Sequence, residues 1–92
     1  MILTIRHKGL RLFHEKGDAS KLSSEQLRKL TSILTLLEAA TTPQDLNQPG
    51  FGLHSLSGEL AGFWSVKVTA NYRIIFRFEG EDATDIDYLD YH

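Results

Sequence analysis

Residues 63–79 read FWSVKVTANYRIIFRFE, and this stretch decides the fold class. Its apolar and polar side chains alternate on both sides of Ala70-Asn71, a turn pair in which asparagine tolerates positive φ. The alternation predicts two antiparallel strands, residues 63–69 and 72–79, joined by a two-residue turn. A two-stranded hairpin is marginal alone, so one of its faces must pack against other elements.

A two-residue turn also predicts which side chains share a face, because side chains alternate along each strand. One face, which we call the helix face because we expect helices on it, would carry Phe63, Tyr72, Ile74, Phe76 and Phe78. The opposite face, which we call the arginine face, would carry Trp64, Val66, Arg73, Ile75 and Arg77. We expect the arginine face to be open and to hold the functional site.

Two helices are predicted ahead of the hairpin. Residues 8–16 read as a short helix that Gly17 stops. Ser23 and Gln26 have the spacing of a capping box, which predicts the start of a longer helix. Its apolar stripe at three- and four-residue spacings is Leu27, Leu30, Ile33, Leu34, Leu37 and Ala40.

The order of elements predicts the fold class. The long helix ends before Thr42-Pro43, and residues 43–47 are predicted to form one further turn. Alternation of apolar and polar residues predicts short strands at 1–6, 53–56 and 83–91. The chain is therefore predicted to be one α+β domain, residues 1–92, with two or three helices on one face of a small, mainly antiparallel sheet.

Composition restricts the compartment and the chemistry. The chain has no cysteine, which excludes disulfides and thiolate metal sites. The first ten residues lack the apolar core of a signal peptide, and no stretch approaches the ~20 apolar residues of a membrane span. We expect a cytoplasmic protein that does not associate with a membrane.

Charge is distributed unevenly along the chain. The net charge is −2, but residues 1–29 hold seven basic and three acidic residues, while residues 30–92 hold three basic and nine acidic ones. Such asymmetry permits a basic face that follows a phosphate backbone, and a lysine-rich solvated surface is the alternative interpretation. Lys21, Arg28 and Lys29 are the candidates for this face, and Lys67 and Arg77 are further candidate RNA-binding residues.

Four side chains, His54 and the terminal Asp90-Tyr91-His92, are candidates for acid–base chemistry. RNA can be cleaved without a metal because its own 2′-OH is the nucleophile. The protein then supplies a base for that proton, an acid for the 5′-oxygen and cations for the phosphate. His54, Asp90 and His92 can transfer protons. Arg73 can bind phosphate with two donors, and Tyr91 can stack on a base or donate a hydrogen bond.

Two other interpretations of the histidines are weaker. His54, Asp90 and His92 also form a possible metal-ligand set, but no HExxH-type pairing supports it, so no metal and no cofactor are predicted. His7 and His14 lie in the basic segment without a carboxylate cluster and are interpreted as surface residues.

The strand assignments, together with the family resemblance described next, predict where the candidate residues lie. We expect His54, Arg73, Asp90 and His92 to converge on the arginine face, with Asp90 and His92 on one side of the last strand and Tyr91 on the other. Which of His54, Asp90 and His92 is the base and which the acid stays open.

Four short motifs give the sequence a family resemblance. They are L-H-x-L-x-G at 53–58, G-F-W-S-V at 62–66, N-Y-R-I-x-F at 71–76 and the terminal D-Y-H at 90–92. With these motifs, and with its opening IRHKGLRLF, the chain resembles the HigB-like branch of the RelE/ParE toxin superfamily from end to end.

The resemblance implies a function and partners. It implies the compact α+β fold of a toxin from a type II toxin–antitoxin pair, which cuts mRNA in the decoding site of the ribosome. It also implies a HigA-like helix-turn-helix antitoxin that neutralises the toxin and carries the complex to operator DNA. The positions that match the family's functional residues are His54, Arg73, Asp90, Tyr91 and His92.

One departure and two alternatives accompany this resemblance. Relatives often carry lysine where this chain has Ser57, so one phosphate-binding cation is missing from the turn after His54. A ParE-like inhibitor that binds DNA gyrase would share the fold without the chemistry. A catalytically decayed module that binds only the antitoxin would also share it.

Overall fold

In the computed structural model, which describes residues 1–90, two α-helices pack on one face of a four-stranded antiparallel sheet. The helices are α1 (Lys8–Lys16) and α2 (Leu27–Ala39). The strands lie side by side in chain order as β1 (His54–Ser55), β2 (Trp64–Lys67), β3 (Tyr72–Glu79) and β4 (Asp82–Asp90). The predicted α+β class, both helices and the mainly antiparallel sheet are confirmed.

The turn of the central hairpin has three residues rather than two. The N–H of Val68 donates to the carbonyl of Tyr72 at 2.9 Å, so the turn consists of residues 69–71. The hydroxyl of Thr69 accepts the N–H groups of Asn71 and Tyr72, both at 3.2 Å, which closes the turn from inside.

The extra turn residue reverses the predicted faces of β2, because a one-residue change of register moves every side chain to the other face. Trp64 lies opposite Phe76, and Val66 lies opposite Ile74. Val66 is fully buried in the core with both β3 residues. The prediction that Trp64 and Val66 lie on the arginine face was therefore wrong, as was the placement of Phe63 on the helix face.

The helix termini follow local backbone chemistry. α1 has the predicted bounds, and Gly17 ends it with φ 70°, a left-handed conformation that glycine adopts without strain. The capping box predicted for α2 was wrong, because the side chain of Ser23 makes no capping bond. A 3₁₀ turn, Ser24–Gln26, precedes α2 instead, and the N–H of Gln26 donates to the carbonyl of Ser23 at 3.1 Å. That backbone bond uses the donor that the Ser23 hydroxyl was expected to cap.

A second short turn follows α2. Pro43–Leu46 forms a 3₁₀ turn, as predicted, and the carboxylate of Asp45 accepts the N–H groups of Thr41 and Thr42 at 3.0 and 3.3 Å. These bonds hold the pKa of Asp45 below its ordinary value. The buried side chain of Leu46 joins the core and fixes the turn against α2.

The N-terminal segment pairs with β4 at only two positions. Ile2 and Ile5 form parallel bridges with Ala83 and Ile86, so the predicted strand at residues 1–6 is reduced to these two bridges. Between them Asp85 has φ 51° and forms a bulge in β4, which interrupts the two-residue period of a ladder. Within residues 1–90, the helices are too short or too polar to cross a bilayer.

Candidate functional site

Strand register brings His54, Lys67 and Arg73 to the arginine face. His54 of β1 lies opposite Ser65 of β2, and Lys67 of β2 lies opposite Arg73 of β3. Arg73 also donates from a terminal guanidinium nitrogen to the Ser65 hydroxyl at 3.4 Å. Ser65, which is fully buried, therefore links the His54 strand to the Arg73 side chain, and it is a residue that the sequence did not single out.

The ring of His54 is oriented by its own loop. Its Nδ1 lies 3.1 Å from the carbonyl oxygen of Gly52, and the side chain is exposed. A carbonyl oxygen only accepts, so Nδ1 carries the proton in this contact and Nε2 is the nitrogen left for other partners. Gly52 holds φ 58°, a conformation that favours glycine, so the loop that supplies this carbonyl depends on that residue. His54 thus presents one defined nitrogen from the arginine face.

Asp90 lies on the other face. It is opposite Tyr72 in the β3–β4 pair, and Tyr72 is a helix-face residue. The expected convergence on the arginine face was therefore wrong for Asp90, because the bulge at Asp85 sets the facing of the residues that follow it. His54 and Asp90 are also on the two outer strands of the sheet, three interstrand spacings of about 4.8 Å apart.

Arg77 is held within an ion-pair network. Its Nε donates to Oδ2 of Asp85 at 2.6 Å, and its Nη2 lies 3.7 Å from Glu79. Nε of Arg6 lies 3.4 Å from the second oxygen of Asp85. The Arg77 hydrogen bond, with the charges of both arginines, holds the pKa of the Asp85 carboxyl below its ordinary value. The guanidinium of Arg77 is thus fixed by carboxylates at the edge of the arginine face.

The three basic residues predicted for an RNA-binding face differ in their surroundings. Lys29 donates from Nζ to the carbonyl of Gly50 at 3.2 Å and lies 4.6 Å from the centre of the Phe51 ring. Arg28 is exposed on α2, and Lys21 lies beside the helix face near Asp90. Lys29 therefore has a structural contact of its own, which the sequence pattern did not indicate.

A pocket of about 300 Å³, which we call the Tyr88 pocket, opens beside the end of the β3–β4 pair. Its lining includes His7, Lys21, Gln26, Tyr72, Tyr88 and Asp90. The Tyr88 hydroxyl is buried and has no hydrogen-bond partner among residues 1–90. Burial, together with the neighbouring Tyr72 and Asp90, raises the pKa of Tyr88 to about 12.

His7 belongs to this pocket and is more than a surface residue. Its Nδ1 accepts the N–H of Leu10 at 3.0 Å and caps α1. Its ring meets Tyr88 edge to face, with centroids 5.4 Å apart. The interpretation of His7 as a plain surface residue was wrong, and its position directly before a helix was the only signal in the sequence.

Two of the predicted site residues, Tyr91 and His92, lie outside the described residues. The alternative metal-ligand set of His54, Asp90 and His92, which the sequence did not favour, therefore includes one residue that the structure does not describe. Within residues 1–90, no group of three or more His, Asp or Glu side chains is placed to hold a metal ion.

Comparison with known proteins gives matches over nearly the whole chain. Residues 3–92 match a family described as RelE-like toxin of the type II toxin–antitoxin system HigB. The chain is 39% identical to Endoribonuclease HigB of Proteus vulgaris over 92 residues, all of both chains. It is 33% identical to Toxin HigB-1 of Vibrio cholerae over 94 residues, which covers all of this chain and 98% of the relative.

Solved structures show the same fold at lower identity. YafQ from Escherichia coli superposes with a TM-score of 0.65 at 16% identity, covering 98% of this chain and 91% of YafQ. A YoeB chain from the YoeB–YefM complex of Staphylococcus aureus gives a TM-score of 0.65 at 14% identity, covering 100% of this chain and 95% of the other. At these identities the likeness concerns the fold alone.

Proposed function

Because this chain belongs to the HigB-like family of RelE-like toxins from type II toxin–antitoxin systems, we propose that it is an endoribonuclease that cleaves mRNA on the ribosome. The observation that carries the proposal is the full-length, 39% identity to Endoribonuclease HigB. The arrangement of His54, Lys67 and Arg73 on one face supports it, because phosphate-binding cations lie beside a group that can transfer a proton.

The proposed reaction uses the RNA's own nucleophile. The 2′-oxygen loses its proton to a base and attacks the adjacent phosphorus, and the bond to the 5′-oxygen breaks as an acid protonates that oxygen. Arg73 and Lys67 stabilise the charge that develops on the phosphate oxygens, with Arg73 as the bidentate donor. No metal enters this scheme.

The acid–base groups of the proposal are His54 and His92, with Tyr91 as a further donor. Asp90 is not included, because it lies on the other face of the sheet, about three interstrand spacings from His54. The Nε2 of His54 is the nitrogen that its loop contact leaves for the substrate.

The charge of the chain supports dependence on the ribosome. A protein of net charge −2 has little affinity for free RNA, because phosphate contacts dominate such affinity. A ribosome that holds the mRNA removes this requirement, and the toxin then needs only a local basic face, for which we propose Lys21, Arg28 and Lys29. The inhibiting partner in our proposal is a HigA-like helix-turn-helix antitoxin, which also binds operator DNA for the complex.

A cleavage assay tests the proposal. Wild-type protein is incubated with an end-labelled mRNA, alone and bound to ribosomes, and we expect cleavage only in the second case. His54→Ala should lower the rate by about a hundredfold, the scale of one acid–base group. His14→Ala is the matched control, because His14 is exposed on α1 and far along the chain from these groups.

Other outcomes would replace the proposal. Equal cleavage of free and ribosome-bound mRNA would show that the nuclease does not depend on the ribosome. Absence of cleavage together with inhibition of DNA gyrase supercoiling would support the gyrase-binding alternative. Absence of both, with tight binding to a HigA-like helix-turn-helix antitoxin, would support the decayed module.

A further inference from the structure

The Tyr88 pocket has a wall of three aromatic rings. Tyr72 and Tyr88 have centroids 5.3 Å apart with planes inclined by 34°, and His7 packs edge to face on Tyr88. These contacts join the three rings into one aromatic cluster beside the pocket, which a planar ligand can contact. The volume of about 300 Å³ lies at the lower end of the range for small-molecule pockets.

Polar groups of both kinds surround this wall. The Tyr88 hydroxyl is buried without a partner among residues 1–90, so the polar groups that a ligand can reach belong to the other lining residues. In the neutral ring of His7, Nδ1 accepts from Leu10, so the proton lies on Nε2. The ammonium of Lys21, the amide of Gln26 and the carboxylate of Asp90 add donors and acceptors.

This combination selects among ligand classes. A carboxylate in the lining disfavours a bare phosphate, and the polar side chains disfavour an alkyl chain. A flat heteroaromatic ring with donors and acceptors on its edge satisfies both the aromatic wall and the polar groups. A nucleobase has these properties.

We propose that the Tyr88 pocket binds a base of the RNA substrate, next to the phosphate that Arg73 binds. Tyr72 and Arg73 are consecutive on β3 and lie on opposite faces near the end of the sheet. A nucleotide at this end would therefore have its phosphate beside Arg73 and its base beside Tyr72. The inference rests on the proposed function for the identity of its ligand as RNA, and it adds a base-recognition site on the helix face.

Nuclear magnetic resonance on the purified full-length chain tests base binding separately from cleavage. The probes are the four ribonucleoside 5′-monophosphates, with ribose 5-phosphate as the probe that lacks a base. We expect at least one nucleotide to give saturable shifts of the ring resonances of His7, Tyr72 and Tyr88, and ribose 5-phosphate to give none. Gln26→Ala, which removes an amide from the lining, should weaken the binding about tenfold, the effect of one lost hydrogen bond. His14→Ala, an exposed residue of α1 outside the lining of this pocket, should bind as wild type does.

The outcomes separate this inference from the proposed function. Shifts with nucleotides in a protein that does not cleave mRNA would support the base pocket and refute the nuclease. If the protein cleaves mRNA but nucleotides shift none of these resonances, the inference falls and the nuclease stands. Equal shifts from ribose 5-phosphate would also overturn it, because the sugar phosphate alone would then account for binding.

Discussion

Arg77 donates a 2.6 Å hydrogen bond to Asp85 across the bulge that interrupts β4. Asp85 has φ 51°, a left-handed conformation that aspartate tolerates better than most residues. Its backbone N–H donates to the hydroxyl of Thr4 at 2.9 Å, and Arg6 lies beside its second carboxylate oxygen. One residue therefore joins β3, β4 and the N-terminal segment.

Substitution of Asp85 should lower the stability of the fold. Asp85→Ala removes the charged acceptor of Arg77. It also places alanine, which tolerates positive φ less well than aspartate, at this position, so we expect a loss of about 2 kcal/mol in the free energy of unfolding. Asp85→Asn keeps an acceptor and tolerates the backbone, and should lose about 1 kcal/mol. Urea denaturation measures both. Asp82→Asn is the control, because the ion pair of Asp82 within residues 1–90 is with the exposed N-terminus. A loss there as large as that of Asp85→Ala would contradict the assignment.

The same carboxyl predicts a dependence of stability on pH. Hydrogen bonding by Arg77 lowers the pKa of Asp85 in the folded state below the ordinary value of 3.8. A lowered folded pKa contributes stability that is fully present above the unfolded pKa and is lost as the pH falls through the folded one. Denaturation curves from neutral pH down through pH 3.8 should therefore show a smaller acid destabilisation for Asp85→Asn than for wild type. If the stability of wild type and of Asp85→Asn changes equally with pH, Asp85 does not cause this pH dependence.

Tyr88→Phe should leave the fold at least as stable as wild type. The variant removes a buried hydroxyl that has no partner among residues 1–90, so no hydrogen bond within them is lost. Thermal denaturation should show an unchanged or raised Tm. A clear fall in Tm would mean that the hydroxyl has a stabilising partner.

Alkaline pH provides an independent test of Tyr88. Its pKa is raised to about 12 from 10.0, mainly by burial. A raised folded pKa contributes stability that is complete below the unfolded pKa and is lost as the pH rises from 10 through 12. Wild type should therefore lose more stability over this interval than Tyr88→Phe. Ultraviolet absorbance of tyrosinate, recorded on both proteins, identifies the late-titrating group.

The register of the hairpin shows what the sequence could and could not predict. Alternation identified β3 to the residue and placed Tyr72, Ile74 and Phe76 on the helix face, because a period of two is a local property. The faces of β2 depended on the number of residues in the turn. The hydroxyl of Thr69 accepts bonds from the backbone of the turn, and Thr69 thereby becomes its third residue. The Ala70-Asn71 pair in the sequence does not indicate this longer turn.

The candidate site could be predicted from the sequence only in part, because it too depends on strand register. Arg73 could be assigned to its face because it lies on a regular strand. The face of His54 depends on pairing between β2 and the two-residue β1, and the face of Asp90 depends on the Asp85 bulge five residues earlier. Ser65 and Tyr88 carry no sequence signal for function, since a serine and a tyrosine in strands are ordinary. Their roles follow from burial and from the partners they have or lack.

Arg73→Lys should lower cleavage although it conserves charge. The planar guanidinium of Arg73 can bind a phosphate with two parallel donors while it contacts Ser65, and an ammonium cannot do both in the same geometry. We expect kcat/KM on ribosome-bound mRNA to fall by about tenfold for Arg73→Lys and more for Arg73→Ala. Lys67→Arg is the matched control, because Lys67 is exposed and acts as a point charge. If Arg73→Lys keeps full activity, cleavage needs only the positive charge of Arg73 and not its bidentate geometry.

Neighbouring basic residues on α2 should respond differently to neutralisation. Lys29→Gln loses the bond to the Gly50 carbonyl and the contact with the Phe51 ring, so we expect about 1 kcal/mol lower stability. Arg28→Gln alters an exposed side chain and should leave stability unchanged.

Arg28 therefore gives the cleaner test of the proposed basic face. Arg28→Gln combined with Lys21→Gln should weaken co-sedimentation with ribosomes and flatten its salt dependence, because fewer phosphate charges are then neutralised. Arg28→Lys, which keeps the charge, should bind as wild type does. If the double variant binds ribosomes as tightly as wild type at every salt concentration, the toxin contacts the ribosome through another surface, and the excess of basic residues in 1–29 is a solvated surface.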